Sequence, residues 1–325
     1  MLGENAHHFR RGIATRLKRN YHHIVSPKIN EKINQADLII ANFECSLMPE
    51  QERETAEMSR AVYAAPVSAL SCFDNWKVPL ILNLANNHFQ QHGRRSALFT
   101  LNCLKERGLN CIGLKRTPLE LTIKGKRIFL WGVSFIKDAF GDQYLSSSPA
   151  SLIGDLEWGE KPNDAFWILS IHWGVEYAAQ PARIQRELAL KLAEHGVDLI
   201  LGHHPHVIQP VVYEGGMPVV YSHGNFIFDQ NFSKLTRTGL MVFTEIENKT
   251  IKCYKILSKN FHVAFCEEIP LDRLEILCRK KDRFFNPLLM RALMKVEMIC
   301  HAHEVPTVAW GHFAKQFFRK LIQNS

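Results

Sequence analysis

Short apolar runs that stop abruptly at polar clusters recur along the chain. Ala36 to Phe43 (ADLIIANF), Val78 to Leu84 (VPLILNL), Phe166 to Ile171 (FWILSI) and Val197 to Leu201 (VDLIL) are too short and too uniformly apolar to be amphipathic helices. They read as strands buried on both faces. Between them the spacing predicts helices over Pro66 to Asn75, Arg94 to Arg107 and Ala182 to His195. The last two stop at Gly108 and Gly196, the residue type favoured just past a helix end. Asn110 to Gly113 predicts a further short strand. Leu119 to Lys124 with Arg127 to Val133, and Val211 to Tyr221 around Gly215 and Gly216, predict hairpins. Gly239 to Ile246 and Ile251 to Leu257 alternate as antiparallel strands. The serine- and proline-bearing stretch from Ala139 to Asn163 predicts a mobile loop over the site. Ala6 to Ile33 is basic with helical character, and beyond Asp272 the pattern is helical, with helices expected over Phe284 to Cys300 and Val308 to Ile322. Strands alternating with helices predict a layered α/β fold, in which chemistry collects at the strand ends.

Composition narrows the class. The 325 residues are 46% hydrophobic and 22% charged, which is globular and enough for one large domain or two ordinary ones. The net charge of +8 favours anionic partners such as phosphate, a polyanion or an acidic membrane surface. No basic stripe interleaved with aromatics is present, so a nucleic-acid partner is not expected. The eight cysteines form no CxxC pair, which argues against a zinc ribbon or a redox dithiol and favours a reducing compartment. No apolar run is long enough to span a bilayer, and the N-terminal stretch lacks a signal-peptide core. A cytoplasmic location is expected for the chain as written. Phe313, Phe317, Phe318 and Leu321, flanked by Lys315, Arg319 and Lys320, would either dock on the parent domain or make peripheral contact with a membrane.

The polar clusters carry the candidate chemistry. Glu44 follows the first run, Asn87 and His88 the second, His172 the third, and His203, His204 and His206 the fourth. Pro205 biases His204 away from helix, so His204 and His206 are expected to be extended around a rigid residue and to converge on one centre. A carboxylate, an amide oxygen and imidazoles form a mixed N/O set that suits a divalent Zn, Mn or Fe, and the absence of cysteine argues against a structural zinc. Trp173, Glu176 and Tyr177 follow His172 closely enough to line the same crevice. They read equally as two core aromatics and a charge at a helix start. Asn225 and, less favoured, Asp229 are similarly placed after the strand ending at Tyr221.

NFECSL at 42 to 47, NLANNH at 83 to 88, HWGVEY at 172 to 177, GHHPHVIQP at 202 to 210 and YSHGNFIFDQ at 221 to 230 resemble, in order, the serial motifs of the CapA family of capsule-synthesis proteins. That family belongs to the calcineurin-like metallophosphoesterase superfamily. The resemblance covers about residues 1–257, which it marks as one domain followed by a mostly helical extension over 258–325, and it implies a four-layer α/β/β/α sandwich holding one or two metal ions. By it Glu44 is the bridging carboxylate, Asn87, His172 and His204 serve the second metal, and His206 serves the first. His88 corresponds to the residue that assists the leaving oxygen, and His203 falls at a variable position outside the ligand set. Gln91 stands where the family usually has Asp, and His223 where an apolar residue is common. His223 is thus an extra site group or a packed side chain. The family opens with a strand ending in Gly-Asp, whose Asp binds the first metal, and Met1-Leu2-Gly3 resembles the residues just after it. An upstream strand of about five to six residues is therefore expected in the full protein, and the chain as given is expected to bind nearer one ion than two. Two functions follow from the resemblance. One is a metal-dependent hydrolase of phosphoester or amide-like bonds in the synthesis of poly-γ-glutamate capsule or another cell-surface polymer. The other is a non-catalytic assembly protein that holds an anionic polymer or phosphorylated substrate in the same pocket, with other capsule-synthesis proteins as partners.

Overall fold

A computed structural model describes residues 13, 17, 20–49, 52, 63–137, 144–230 and 233–282. Its strands run in chain order as β1 Ile39–Asn42, β2 Ser46–Met48, β3 Ala64–Pro66, β4 Leu80–Asn83, β5 Asn110–Ile112, β6 Leu119–Ile123, β7 Lys126–Ser134, β8 Ala165–His172, β9 Leu199–His203, β10 Val211–Glu214, β11 Met217–Val220, β12 Thr238–Glu245, β13 Thr250–Lys259 and β14 His262–Ile269. The helices that matter for the site are Arg94–Glu106 and Arg183–Glu194. Pro66 to Asn75, expected to be helical, contains a 3₁₀ helix over Val67–Phe73.

The architecture is mixed α/β. The first sheet has the order β1-β4-β5, all parallel. The second has the order β10-β11-β9-β8-β7-β6, with parallel pairing from β7 through β11 and an antiparallel hairpin at each edge. Both hairpin turns hold two consecutive residues at positive φ, Lys124 and Gly125 at 50° and 79°, and Gly215 and Gly216 at 56° and 81°. That is the backbone a two-residue turn needs to match the strand twist. The expected antiparallel strands β12 and β13 form a third sheet with β14.

Side-chain alternation explains why the central strands are apolar throughout. On β4, Leu80 and Leu82 share an apolar cluster with Ala97 and Leu104 of the helix Arg94–Glu106, whereas Ile81 joins Ile128, Leu130, Phe166 and Ile168 of the second sheet. On β8, Phe166 and Ile168 face that shared core, while Trp167, Leu169 and Ile171 meet Leu188, Ala189 and Leu192 of the helix Arg183–Glu194. The first and second sheets therefore each have a helix against one face and the other of the two against the opposite face. A strand covered twice has no polar face to show.

Within 139–163, the described part from 144 packs its apolar residues instead of arching over the site. Leu152 and Leu156 are buried beside Trp131 and Trp167 on the outer face of the second sheet, and Trp158 stacks on Trp167 at 5.6 Å. The domain boundary expected at 257 falls inside β13, and the next segment returns as β14, paired along β13, before the helix Leu271–Asp282. The expected helices over 284–300 and 308–322 lie outside the described residues. Among the described residues no helix is long and apolar enough to cross a membrane, and the cysteines are free thiols.

Candidate metal centre

Parallel pairing carries the polar clusters to one place. Asn42 at the end of β1 is opposite Asn83 at the end of β4, so Glu44 and the Asn87–His88 pair leave the first sheet at the same edge. His172, the last residue of β8, is opposite His203, the last of β9, and His204 and His206 follow at once. With the two sheets face to face, these ends meet. Glu44 Oε1 lies 3.6 Å from His172 Nε2 and 3.7 Å from both His88 Nε2 and His206 Nε2. Ligand atoms of Glu44, His172 and His204 all fall within 4.8 Å of one another. His172 Nε2 is also 2.9 Å from Asn87 Oδ1.

The electrostatics fit a cation. All of these groups except Asn87 are buried. Glu44 Oε2 accepts a hydrogen bond from Asn42 Nδ2 at 3.1 Å, but Oε1 has no hydrogen-bond partner among the described residues. Burial pushes the Glu44 carboxyl up to about 8, and the nearby charge of Glu176 adds to that push. Burial likewise lowers His88 to about 4 and His206 to about 3, and holds His172 well below the usual imidazole range. Neutral imidazoles around an orphaned carboxylate oxygen make a donor set without a positive charge. Leaving such an oxygen buried and unbonded is costly, and a divalent ion would satisfy it.

The tautomer of His206 follows from its neighbour. Asn225 Nδ2 donates to the Thr236 carbonyl at 2.9 Å, so its Oδ1 faces His206 Nδ1 at 3.0 Å and must accept a proton there. That leaves the Nε2 lone pair directed toward Glu44. A hydrogen bond on the outer ring nitrogen is the usual way a protein fixes a metal-binding histidine.

The backbone of the histidine segment differs from expectation. His204 and His206 are not extended but have φ of 100° and 58°. Pro205 keeps His204 out of the right-handed helical region but does not hold it extended. The carbonyls of His203 and Pro205 are taken by Trp173 N at 3.0 Å and Tyr177 N at 2.8 Å, which bends the segment over the end of β8. Such φ values cost about 1–3 kcal/mol each in a non-glycine residue and cluster where function requires them.

The flanking residues separate into different roles. Trp173 is fully buried, stacks on Tyr221 at 5.7 Å and donates its indole N–H to the Tyr221 carbonyl, so it belongs to the core. The Tyr177 ring is 6.1 Å from His206, and its hydroxyl accepts from Gln230 Nε2 at 3.0 Å. Asn225 touches a histidine of the centre, and Asp229 is tied to Ile13 N at 2.7 Å. His223 stacks on His203 with ring centres 5.1 Å apart, and its Nδ1 is 3.3 Å from the Leu240 carbonyl, which is packing. Sequence reasoning passed over Asn42 and Asn86. Asn42 contacts both Glu44 and His172 Nδ1, the latter at 3.4 Å. Asn86 donates to the Phe43 carbonyl and accepts from His88 N at 3.1 Å. Their signal was the density of asparagine at two strand ends.

The family model for the bacterial capsule synthesis protein PGA_cap matches residues 5–230, more than half of the chain and every residue of the centre. The chain belongs to this PGA_cap family. It is 26% identical over 238 residues to the capsule biosynthesis protein CapA of Bacillus anthracis, covering 68% of this chain and 58% of that protein. It is 28% identical over 208 residues to the PGA biosynthesis protein CapA of Bacillus subtilis (strain 168), covering 60% and 54%. This PGA_cap chain thus spans a little over half the length of those relatives. Among solved structures, TT1561 of Thermus thermophilus aligns with a TM-score of 0.44 and 12% identity, over 73% of this chain and 92% of that one.

Proposed function

We propose that this PGA_cap chain is a metal-dependent hydrolase of phosphoester-like bonds that acts in the synthesis of a capsule or other cell-surface polymer of the poly-γ-glutamate kind. The observation that carries the reading is the buried Glu44 Oε1, without a hydrogen-bond partner among the described residues and surrounded by imidazoles from the second sheet and the 83–88 loop. Family membership and the names of the CapA relatives support the biological setting. The layer order helix, sheet, sheet, helix supports an α/β/β/α sandwich of the metallophosphatase kind.

In this reading Glu44, Asn87, His172, His204 and His206 hold one or two ions of Mn, Zn or Fe. When bound, such an ion polarises the scissile bond and acidifies water at neutral pH. The chain's own residues do the rest. Asn225 keeps the His206 proton on Nδ1, away from Glu44. His88, held by its backbone N–H on Asn86 and edge-on to Tyr63 at 5.1 Å, donates an N–H to the leaving oxygen. Anionic substrates suit the chain's net charge of +8.

The test is hydrolysis of bis(p-nitrophenyl) phosphate by the purified protein with added Mn, Zn or Fe, alongside His88→Ala. The expected result is metal-stimulated turnover that falls by about 10²-fold or more in the variant with metal content unchanged. Metal binding by the wild type without any turnover would replace this reading with the anionic-polymer-binding one.

A further inference from the structure

The centre draws Glu44 and Asn87 from one sheet and His172, His204 and His206 from the other, so its geometry depends on how the two sheets are held apart at this end. Apart from the contacts that His172 itself makes with Asn42 and Asn87, one polar side chain among the described residues bridges the two sheets just behind the centre. Asn83, the last residue of β4, is fully buried and lies on the face of the first sheet that looks toward the second. Its Nδ2 donates to both the Ser170 carbonyl at 3.3 Å and Ser170 Oγ at 3.0 Å, and its Oδ1 accepts from Ala85 N at 3.0 Å. Ser170 is itself fully buried on β8, two residues before His172. Ala85 opens the loop that carries Asn87 and His88.

The surroundings are shaped to admit this amide. Gly132 of β7, paired with Ser170, and Gly113 after β5 both face Asn83 Oδ1. A Cβ on Gly113 would lie 2.6 Å from that oxygen, and one on Gly132 would lie closer still. Deeper between the sheets, away from the centre, the packing is apolar, through Ile81, Ile128, Leu130 and Ile168. An apolar pair here would serve stability about as well, because replacing both partners of a buried hydrogen bond is nearly neutral. What the amide adds is direction and a fixed distance.

We infer that Asn83, through Ser170, is a positioning residue that sets the separation between the two halves of the metal centre. The inference rests on the reading of the site as a metal centre.

It is tested by titrating the full chain with Co²⁺ and following the visible absorption, in the wild type, Asn83→Leu, Ser170→Ala and Leu188→Ala. The last variant opens the remote core beneath the helix Arg183–Glu194. Asn83→Leu is expected to weaken Co²⁺ binding by about 10-fold or more, in the range seen when groups behind metal ligands are removed, and to alter the cobalt spectrum. Ser170→Ala is expected to show a smaller loss in the same direction. Leu188→Ala should lower the melting temperature yet keep the wild-type affinity and spectrum. Wild-type affinity in a folded Asn83→Leu, or a Leu188→Ala loss equal to it, would overturn the inference. If Asn83→Leu does not fold, wild-type affinity in Ser170→Ala overturns it. A wild type that binds no Co²⁺ overturns the metal reading itself, and this inference with it.

Discussion

Two groups of histidines lie side by side at the end of the second sheet, and their contrast shows which surroundings would suit an imidazole to a metal ion and which would not. His172, His204 and His206 gather around Glu44, whereas His203 and His223 stack on each other with ring planes 13° apart. Suppressed protonation does not separate the groups, because loss of solvent holds His203 well below its usual range and lowers His223 to about 4, just as it lowers His206, although His203 and His223 are only half-buried. The difference lies in the second ring nitrogen and in what faces the first. His206 donates its Nδ1–H to Asn225 Oδ1 and turns Nε2 toward Glu44 Oε1, which has no hydrogen-bond partner among the described residues. His223 has its Nδ1 against the Leu240 carbonyl and meets a neighbouring ring in place of a carboxylate. Adjacent residues in GHHPH therefore take different roles.

Substitutions should separate the groups. His172→Ala removes a ligand that is fully buried, and the expected loss of Mn²⁺ affinity is the largest of the set, with metal content falling to background by elemental analysis. Asn225→Leu leaves every ligand in place but frees the His206 tautomer. Isothermal titration should show a loss of about 10- to 100-fold, and an unchanged affinity would break the argument from the second nitrogen. The effect of pH is next in size. Binding needs an ionised Glu44, so affinity should rise about tenfold per pH unit up to about 8 and then level off, since binding releases that proton. His88 and His206, lowered to about 4 and about 3, do not titrate in that window. The same shift has a sign for stability. A carboxyl raised from 4.5 to about 8 favours the folded metal-free chain below about pH 4.5, and that contribution is lost as pH rises through 8. Melting curves with and without metal should therefore diverge as pH rises. Smallest of all, His223→Phe should keep the stack and leave metal affinity within about threefold, an estimate that treats it as a volume-conserving core change.

Much of this was legible in the sequence because burial on both faces writes an unbroken apolar run, and β4 and β8 are such runs. Each ends where the backbone emerges at the sheet edge, so the order of residues alone places Glu44, Asn87 and His172 at strand ends. What escaped depends on contacts distant in sequence. The left-handed turns at His204 and His206 are imposed by Trp173 and Tyr177, which occupy the neighbouring carbonyls. The role of Asn225 depends on Thr236 fixing its amide. β14 carries exposed Phe265, Glu267 and Glu268 and lacks the polar and apolar alternation of β12 and β13, so nothing local marked it as a strand. The stretch from 144 to 163 looked loop-like in composition, yet Leu152, Leu156 and Trp158 anchor it on the far side of the second sheet.

The most direct test of the central claim is the metal content of the purified chain after supplementation with Mn, Zn and Fe and removal of loosely bound ions, measured beside Glu44→Ala. The account predicts bound transition metal in the wild type and background in the variant. A wild type at background with all three metals, or a Glu44→Ala variant that retains its metal, would contradict it.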